Sequence, residues 1–264
     1  GELISQRGVG NGMSLIIFAS IVSQLPSQFG SSYQVTAGQG RLGQFVFLMV
    51  MFILMIVGII YVEQGQRRIP IQFAKRVRGR KVMGGQSTYI PLKVNSAGVI
   101  PVIFATSILF FPALVATSLP QDNNVTAAIR NWIDINLANS QGTTWFYVFF
   151  LGMLIIFFTY FYTTIQFDPV RQSDMIRRQG GFVPGVRPGI STTNYLSHII
   201  NRITLPGSVF LASVAVLPSI ASVIWDIPLG FSGISILITV GVALETMKQI
   251  ESQLSMRNYE GFID

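Results

Sequence analysis

Side chains able to do covalent chemistry are scarce in this chain. It has one histidine, His198, and no cysteine, so disulfides and thiolate metal sites are excluded and the redox compartment stays undecided. His198 has no Asp or Glu at ligand spacing, which leaves it without a partner for acid–base or metal work. HExxH, a Ser/His/Asp arrangement and a Walker motif are absent, and the early GVGNG lacks both the preceding strand and the following lysine of a phosphate-cradling loop. The sequence reads as scaffold or conduit rather than catalyst, with no cofactor.

Arginine is the reactive presence that remains, and its chemistry is recognition. A first basic stretch carries Arg67, Arg68, Lys75, Arg76, Arg78, Arg80, Lys81 and Lys93 with no acidic residue between Glu63 and the next apolar run. A second carries Arg171, Arg177, Arg178, Arg187 and Arg202. Such a cluster has two uses, and the residues leave both open. It can lie on anionic lipid headgroups, at about 1 kcal/mol per basic residue. It can also dock a large anionic partner, because guanidinium forks onto phosphate and carboxylate. Arg187 stands between Pro184 and Pro188, so its tip is stiff and loses little conformational entropy on docking.

The elements that position these loops are apolar. Half of the 264 residues are hydrophobic, 12% are aromatic and only 11% are charged, a composition outside the soluble globular range. Charge-free runs cover residues 13–29, 42–62, 96–119, 144–167, 205–225 and 227–244. An ionised side chain at mid-membrane costs about 2.5 to 3.5 kcal/mol, so each run reads as a spanning helix; barrel-type alternation is absent. The expected division is residues 1–29 for the first span, 30–63 for an outside loop and the second span, and 64–95 for a basic loop. Then come 96–119 for the third span, 120–143 for an outside loop, 144–167 for the fourth span, 168–204 for a second basic loop, 205–244 for the last two spans and 245–264 for a tail.

Of the 18 Lys and Arg residues only Arg41 and Arg130 fall on the side opposite the two basic loops and the tail, so the positive-inside rule puts those loops and the C-terminus in the cytoplasm. The net charge of +7 is then a one-sided field. Within the first loop Ile69, Ile71 and Phe73 alternate ahead of the glycines between Met83 and Gln86, the pattern of a hairpin. The third span carries Asn95, Ser96, Thr106 and Ser107 in or near it, with Pro101 and Pro112 interrupting it; a helix so polar packs against protein or a water cavity on one side. Beyond it Val125, Ala128, Ile129, Trp132, Ile133 and Leu137 keep helical spacing, which suits an interfacial helix. The chain opens with GELISQRG and reads as beginning inside a longer protein.

Four segments carry a resemblance. GNGMSLIIF, VEQGQRRIPIQFAKR, GQSTYIPLKVNSAGVIPVIF and GGFVPGVRPG resemble, in order and spacing, the signature segments of the SecY family, the large subunit of the bacterial-type Sec protein-translocation channel. The resemblance implies an all-α polytopic transmembrane bundle of about six spans, matching the fifth to tenth spans and tail of the ten-span SecY fold. It implies a pore ring of Met13, Ile17, Ile103 and Ile238, with Met where the family usually has Ile, and a lateral gate at Asn95, Thr106 and Ser107. Arg67, Arg68, Lys75, Arg76, Arg78, Arg80, Arg177, Arg178 and Arg187 would dock the ribosome, through ribosomal RNA and proteins at the exit tunnel, and the SecA motor ATPase.

Other implied partners are the small membrane subunits SecE and SecG, signal sequences, nascent polypeptides and anionic lipids. The implied location is the bacterial cytoplasmic (inner) membrane, and the implied function is passage of unfolded secretory polypeptides, with release of transmembrane segments through the gate. The alternatives are an uncoupled small-solute permease and a membrane anchor whose loops only touch lipid.

Overall fold

The computed structural model describes residues 2–7, 12–38, 40–73, 76–78, 81–83, 87–118, 124–137, 144–225 and 232–260. In chain order the elements begin with α1 (Glu2–Arg7), α2 (Gly12–Gly38) and α3 (Leu42–Gln64). The strands β1 (Gln66–Phe73), β2 (Arg76–Arg78), β3 (Lys81–Met83) and β4 (Ser87–Lys93) follow. Then come α4 (Ile100–Ser118), α5 (Asn124–Asn136), α6 (Trp145–Gln166), α7 (Pro169–Arg178), β5 (Gly181–Phe182), α8 (Ile190–Trp225) and α9 (Gly233–Glu260).

Among the described residues α3, α4, α6, α8 and α9 are long and apolar enough to cross a membrane. With α2, which is 27 residues long but more polar, they make the helical bundle of about six spans that the composition implies. Their cores meet along narrow stripes. In α6 the buried residues are Val148, Leu151, Ile155, Thr159 and Thr163, spaced by three or four and therefore on one face. Val148, Leu151 and Ile155 of that face belong to one buried cluster with Val102 and Leu109 of α4 and Leu211 and Ala215 of α8, a cluster that extends to Leu48, Met51 and Met55 of α3. The opposite faces stay open: Phe149, Phe157 and Phe161 of α6 are exposed, as helices bathed in hydrocarbon require.

Three boundaries differ from the sequence expectation, each for a physical reason. Residues 30–38, expected as loop, continue α2. Its serines and threonines do not compete with the helix, because Ser27, Ser31 and Thr36 donate to the carbonyls of Gln24, Gln28 and Ser32 at 2.8, 2.9 and 2.8 Å. Edge-to-face contacts of Phe29 with Phe52 and Tyr33 with Phe45, at 5.1 and 5.4 Å, hold the extension against α3. The span expected from residue 205 is the second half of α8, which starts at Ile190; Leu196 and Ile199 bury its first turns outside the apolar run. The tail expected from residue 245 is helical to Glu260, because no Gly or Pro interrupts the chain between Gly241 and Gly261.

The two basic loops are one structure. β1 pairs antiparallel with β4, Ile69 opposite Ile90, and its far end pairs with β5 from the second loop, Gln72 opposite Phe182. The sheet order is β4-β1-β5, with β2 and β3 as a separate hairpin. On its inner face Ile69, Ile71 and Leu92 form a small core with Ile176 of α7, Val183, and Leu196 and Ile199 of α8. Where α8 passes the sheet, a Cβ added at Gly207 would stand 2.7 Å from the carbonyl oxygen of Val94, a contact that only glycine allows.

Gly207→Val is therefore expected to destabilise the protein by about 1–3 kcal/mol. Gly30→Ala, where a Cβ meets nothing within 4 Å, should not. Thermal unfolding of the detergent-solubilised complete protein checks this, and equal midpoints for the two variants would contradict the packing described.

Candidate functional site

The bundle opens, at the end that carries the sheet, into a cavity of about 560 Å³. Five helices supply most of its walls. Ser14 and Ile17 come from α2, Glu63 from the end of α3, Ile100 and Ile103 from α4, Tyr162 and Gln166 from α6, and Ile238, Gly241, Glu245 and Lys248 from α9. The joint between β4 and α4 contributes Lys93 and residues 95–99.

The lining is graded. Along α9, Ile238, Glu245 and Lys248 line it in turn, and an α-helix rises about 1.5 Å per residue, so the charged groups stand roughly two turns nearer the sheet end than the isoleucine. Ile103 likewise lies farther into α4 than Ile100, its first residue. Polar and charged groups therefore ring the mouth and aliphatic ones the floor. Ile17 and Ile103 are 41% and 43% exposed, so they face this space and are not part of the packed core.

At the mouth Asn95 is buried. Its Nδ2 donates to Oε2 of Glu63 at 3.0 Å and to the carbonyl of Gly98 at 3.2 Å, while its Oδ1 has no partner. This contact ties the end of α3 to the turn that begins α4. Thr106 and Ser107 differ: Thr106 donates to the Val102 and Ile103 carbonyls at 3.1 and 2.9 Å, and Ser107 to the Ile103 carbonyl at 2.8 Å. Both hydroxyls are satisfied within α4.

The arginines fall into separate groups. Arg67 and Arg68 are exposed at the start of β1, where α3 ends. Strand alternation sends them to opposite faces, and the Arg68 guanidinium lies 4.8 Å from the centre of the Tyr89 ring. Arg177 and Arg178 end α7, whose start is capped by Asp168: its Oδ1 accepts from the amides of Val170 and Arg171 at 2.9 and 3.3 Å. They sit beside β5, at the other end of β1, roughly 15 Å along the strand from Arg68 at about 3.3 Å per residue.

Arg187 is exposed on a tip framed by Gly185 and Gly189, at φ 81° and 112°, angles that only glycine adopts freely. The tip is tied down twice, since Thr192 Oγ1 donates to the Arg187 carbonyl at 2.9 Å and Ser173 Oγ to that of Gly189 at 3.1 Å. Arg76 and Arg78 lie on β2. Lys75 and Arg80 fall outside the described residues, as does the side chain of Met13, which belongs to the first turn of α2.

Sequence reasoning missed Glu63, Lys93, Glu245 and Lys248 as cavity residues. The one signal was position: each stands just beyond an apolar run. Among the described residues no group of three His, Cys, Asp or Glu side chains could hold a metal ion.

The family model described as SecY matches residues 1–247. The protein translocase subunit SecY of Streptomyces scabiei is 48% identical over all of this chain and 59% of its own length. That of Mycobacterium bovis is 45% identical over all of this chain and 60% of its length, so the chain spans about three fifths of these relatives. Among solved structures, one of a SecY translocation channel, in which the plug domain stabilises the closed state and maintains a membrane seal, aligns with TM-score 0.61 at 18% identity over 95% of this chain and 61% of that one. Another, of a protein-conducting channel, aligns with TM-score 0.60 at 18% identity; at that identity the likeness speaks for the fold. By the family match and by these relatives, the chain belongs to the SecY family.

Proposed function

We propose that this chain forms the C-terminal part of the protein-conducting channel subunit of a Sec translocon. Such a channel passes unfolded secretory polypeptides across the bacterial cytoplasmic membrane and releases transmembrane segments sideways through a lateral gate. The observation that carries the reading is the graded cavity, in which Ile17, Ile103 and Ile238, from three separate helices, share one space below a charged mouth. A narrow aliphatic collar excludes ions by dewetting and offers a sliding polypeptide no fixed hydrogen bond to hold it.

In this reading Met13 completes the ring with those three isoleucines, and the basic loops face the cytoplasm. α4 is one wall of the gate, with Asn95, Thr106 and Ser107 along it. Asn95 holds the resting arrangement through Glu63, while Thr106 and Ser107 turn from their own carbonyls when a signal sequence intercalates. Energy comes from partners, and the chain has no enzymatic role. SecE and SecG complete the complex, and the nascent chain arrives from the ribosome or from SecA.

The sheet and the Arg187 tip form the docking platform, with Arg67, Arg68, Lys75, Arg76, Arg78, Arg80, Arg177, Arg178 and Arg187 as its charged contacts. Support comes from the shape of the platform: one sheet joins both loops. The described arginines there are unneutralised, since the one ion pair among the described residues is Arg130 with Asp134, on the opposite end of the bundle. Anionic lipids meet those basic residues nearest α3. A small-solute permease would place its polar groups at mid-membrane, whereas here they stand at the mouth.

Two outcomes test this reading. In vesicles containing the complete channel, Ile103→Asn and Ile238→Asn should each raise resting ion leak several-fold, because a polar side chain wets the collar; a leak equal to that of the unaltered channel would remove these residues from the ring. Ribosome co-sedimentation across a salt series should weaken as salt rises. It should fall by about tenfold or more when Arg67, Arg68, Arg177, Arg178 and Arg187 are changed to Glu, since the contacts would be to phosphate. Unchanged binding would assign the loops to lipid or to a different partner.

A further inference from the structure

We infer that α5 lies on the membrane surface at the end of the bundle opposite the basic loops, with its exposed apolar face in the lipid interface, and that it anchors the far end of α4 there. The apolar arc of the helix is broad, and its two sides meet different surroundings. Leu137, just past its end, is partly buried against the bundle core, which accounts for the inner face. Ala128, Trp132 and Ile135 recur at i, i+4 and i+7 and so share a second face, yet Trp132 and Ile135 are 52% and 62% exposed. A helix packed on protein alone and otherwise in water would carry polar residues there. Its polar arc lies elsewhere, where Arg130 pairs with Asp134 at 3.8 Å.

What covers the second face follows from its continuity with α6. The Trp132 ring meets Phe146 edge-on at 5.7 Å, and Phe146 stacks on Phe150 at 5.9 Å. Thr144 Oγ1 donates to the Ile135 carbonyl at 2.8 Å, clamping the end of α5 to the residue that begins α6. α6 is a spanning helix whose exposed aromatic side meets hydrocarbon, and Trp145 and Phe146 form its first turn, at the level where a span leaves the core. The exposed face of α5 prolongs that lipid-facing surface, and its tryptophan stands at interface depth, where amphipathic rings are most stable. Since Arg130 and Asp134 are the only charges in the helix and cancel, insertion is driven by apolar area and not by attraction to anionic headgroups. α4 and α5 pack directly against each other, so a tilt of α4 must drag or lift this anchor. If α4 is the gate, lipid at this surface opposes its movement.

The chain has no cysteine, so single cysteines report cleanly. Ala128→Cys, Ile135→Cys and Asp134→Cys would be made in the complete complex, with any cysteine elsewhere removed. Each would carry a nitroxide and be reconstituted in phosphatidylcholine–phosphatidylethanolamine vesicles, with and without phosphatidylglycerol. Electron paramagnetic resonance should find the labels at 128 and 135 more accessible to oxygen than to an aqueous nickel complex, about 5–10 Å below the phosphates. The label at 134 should show the reverse, and phosphatidylglycerol should change neither. Equal nickel access at all three sites would put α5 in water and overturn the inference. Labels at 128 and 135 immobilised and shielded from both reagents would overturn it in favour of a protein partner, and a depth that follows phosphatidylglycerol content would overturn insertion by apolar area.

Discussion

Hydrocarbon offers a backbone amide no hydrogen-bond partner, and the arrangement of this chain follows from meeting that constraint before any other. Among the described residues the segments at membrane depth are helical, and hydroxyls on α6 there turn inward on their own helix: Thr159 and Thr163 donate to the carbonyls of Ile155 and Thr159 at 2.7 Å each. Among the described residues strands, whose edges would leave unpaired groups, occur only beyond the helix ends. There β4, β1 and β5 form a sheet with a small core of its own. Charge is displaced to the same places, beyond the apolar middle of the bundle.

The sheet and the cavity are joined through one short stretch. β4 ends at Lys93, the Val94 amide bonds to the Gly65 carbonyl at 3.0 Å, Asn95 meets Glu63, and α4 starts at Ile100. The residues that close the sheet thus also line the cavity mouth and set where α4 begins. On the proposed function, a partner that presses on the sheet acts on the wall of the gate through this joint, with few loose residues between. Gly207 of α8 backs the same stretch from the other side, so the joint is confined by packing as well as by hydrogen bonds.

Legibility in the sequence followed how local each cause was. The spans could be read because exclusion of charge from lipid is written residue by residue, and the third span's polarity marked it as unlike its neighbours. Helix extents could not. The continuation of α2 to Gly38 depends on hydroxyls satisfied by their own turns and on rings borrowed from α3, and the early start of α8 depends on a sheet that neighbouring residues do not predict. Alternation in Ile69, Ile71 and Phe73 pointed to a hairpin, but nothing local announced that β5, from the other loop, would join it. Ile17, Ile103 and Ile238 are ordinary aliphatics by composition and were singled out only through family resemblance. Glu63, which reaches Asn95 across 32 residues, had no signal beyond its place at a span edge.

The central claim is that a polypeptide passes the aliphatic floor of the cavity. Single cysteines at Ile103 and Ile238 in the complete complex, probed for cross-links to a secretory chain stalled in transit, test it most directly. Adducts at both positions, absent from a cysteine on the lipid-facing side of α6 such as Phe157→Cys, are the expected result. Absence of adducts at both, with the chain shown to be engaged, would contradict the account.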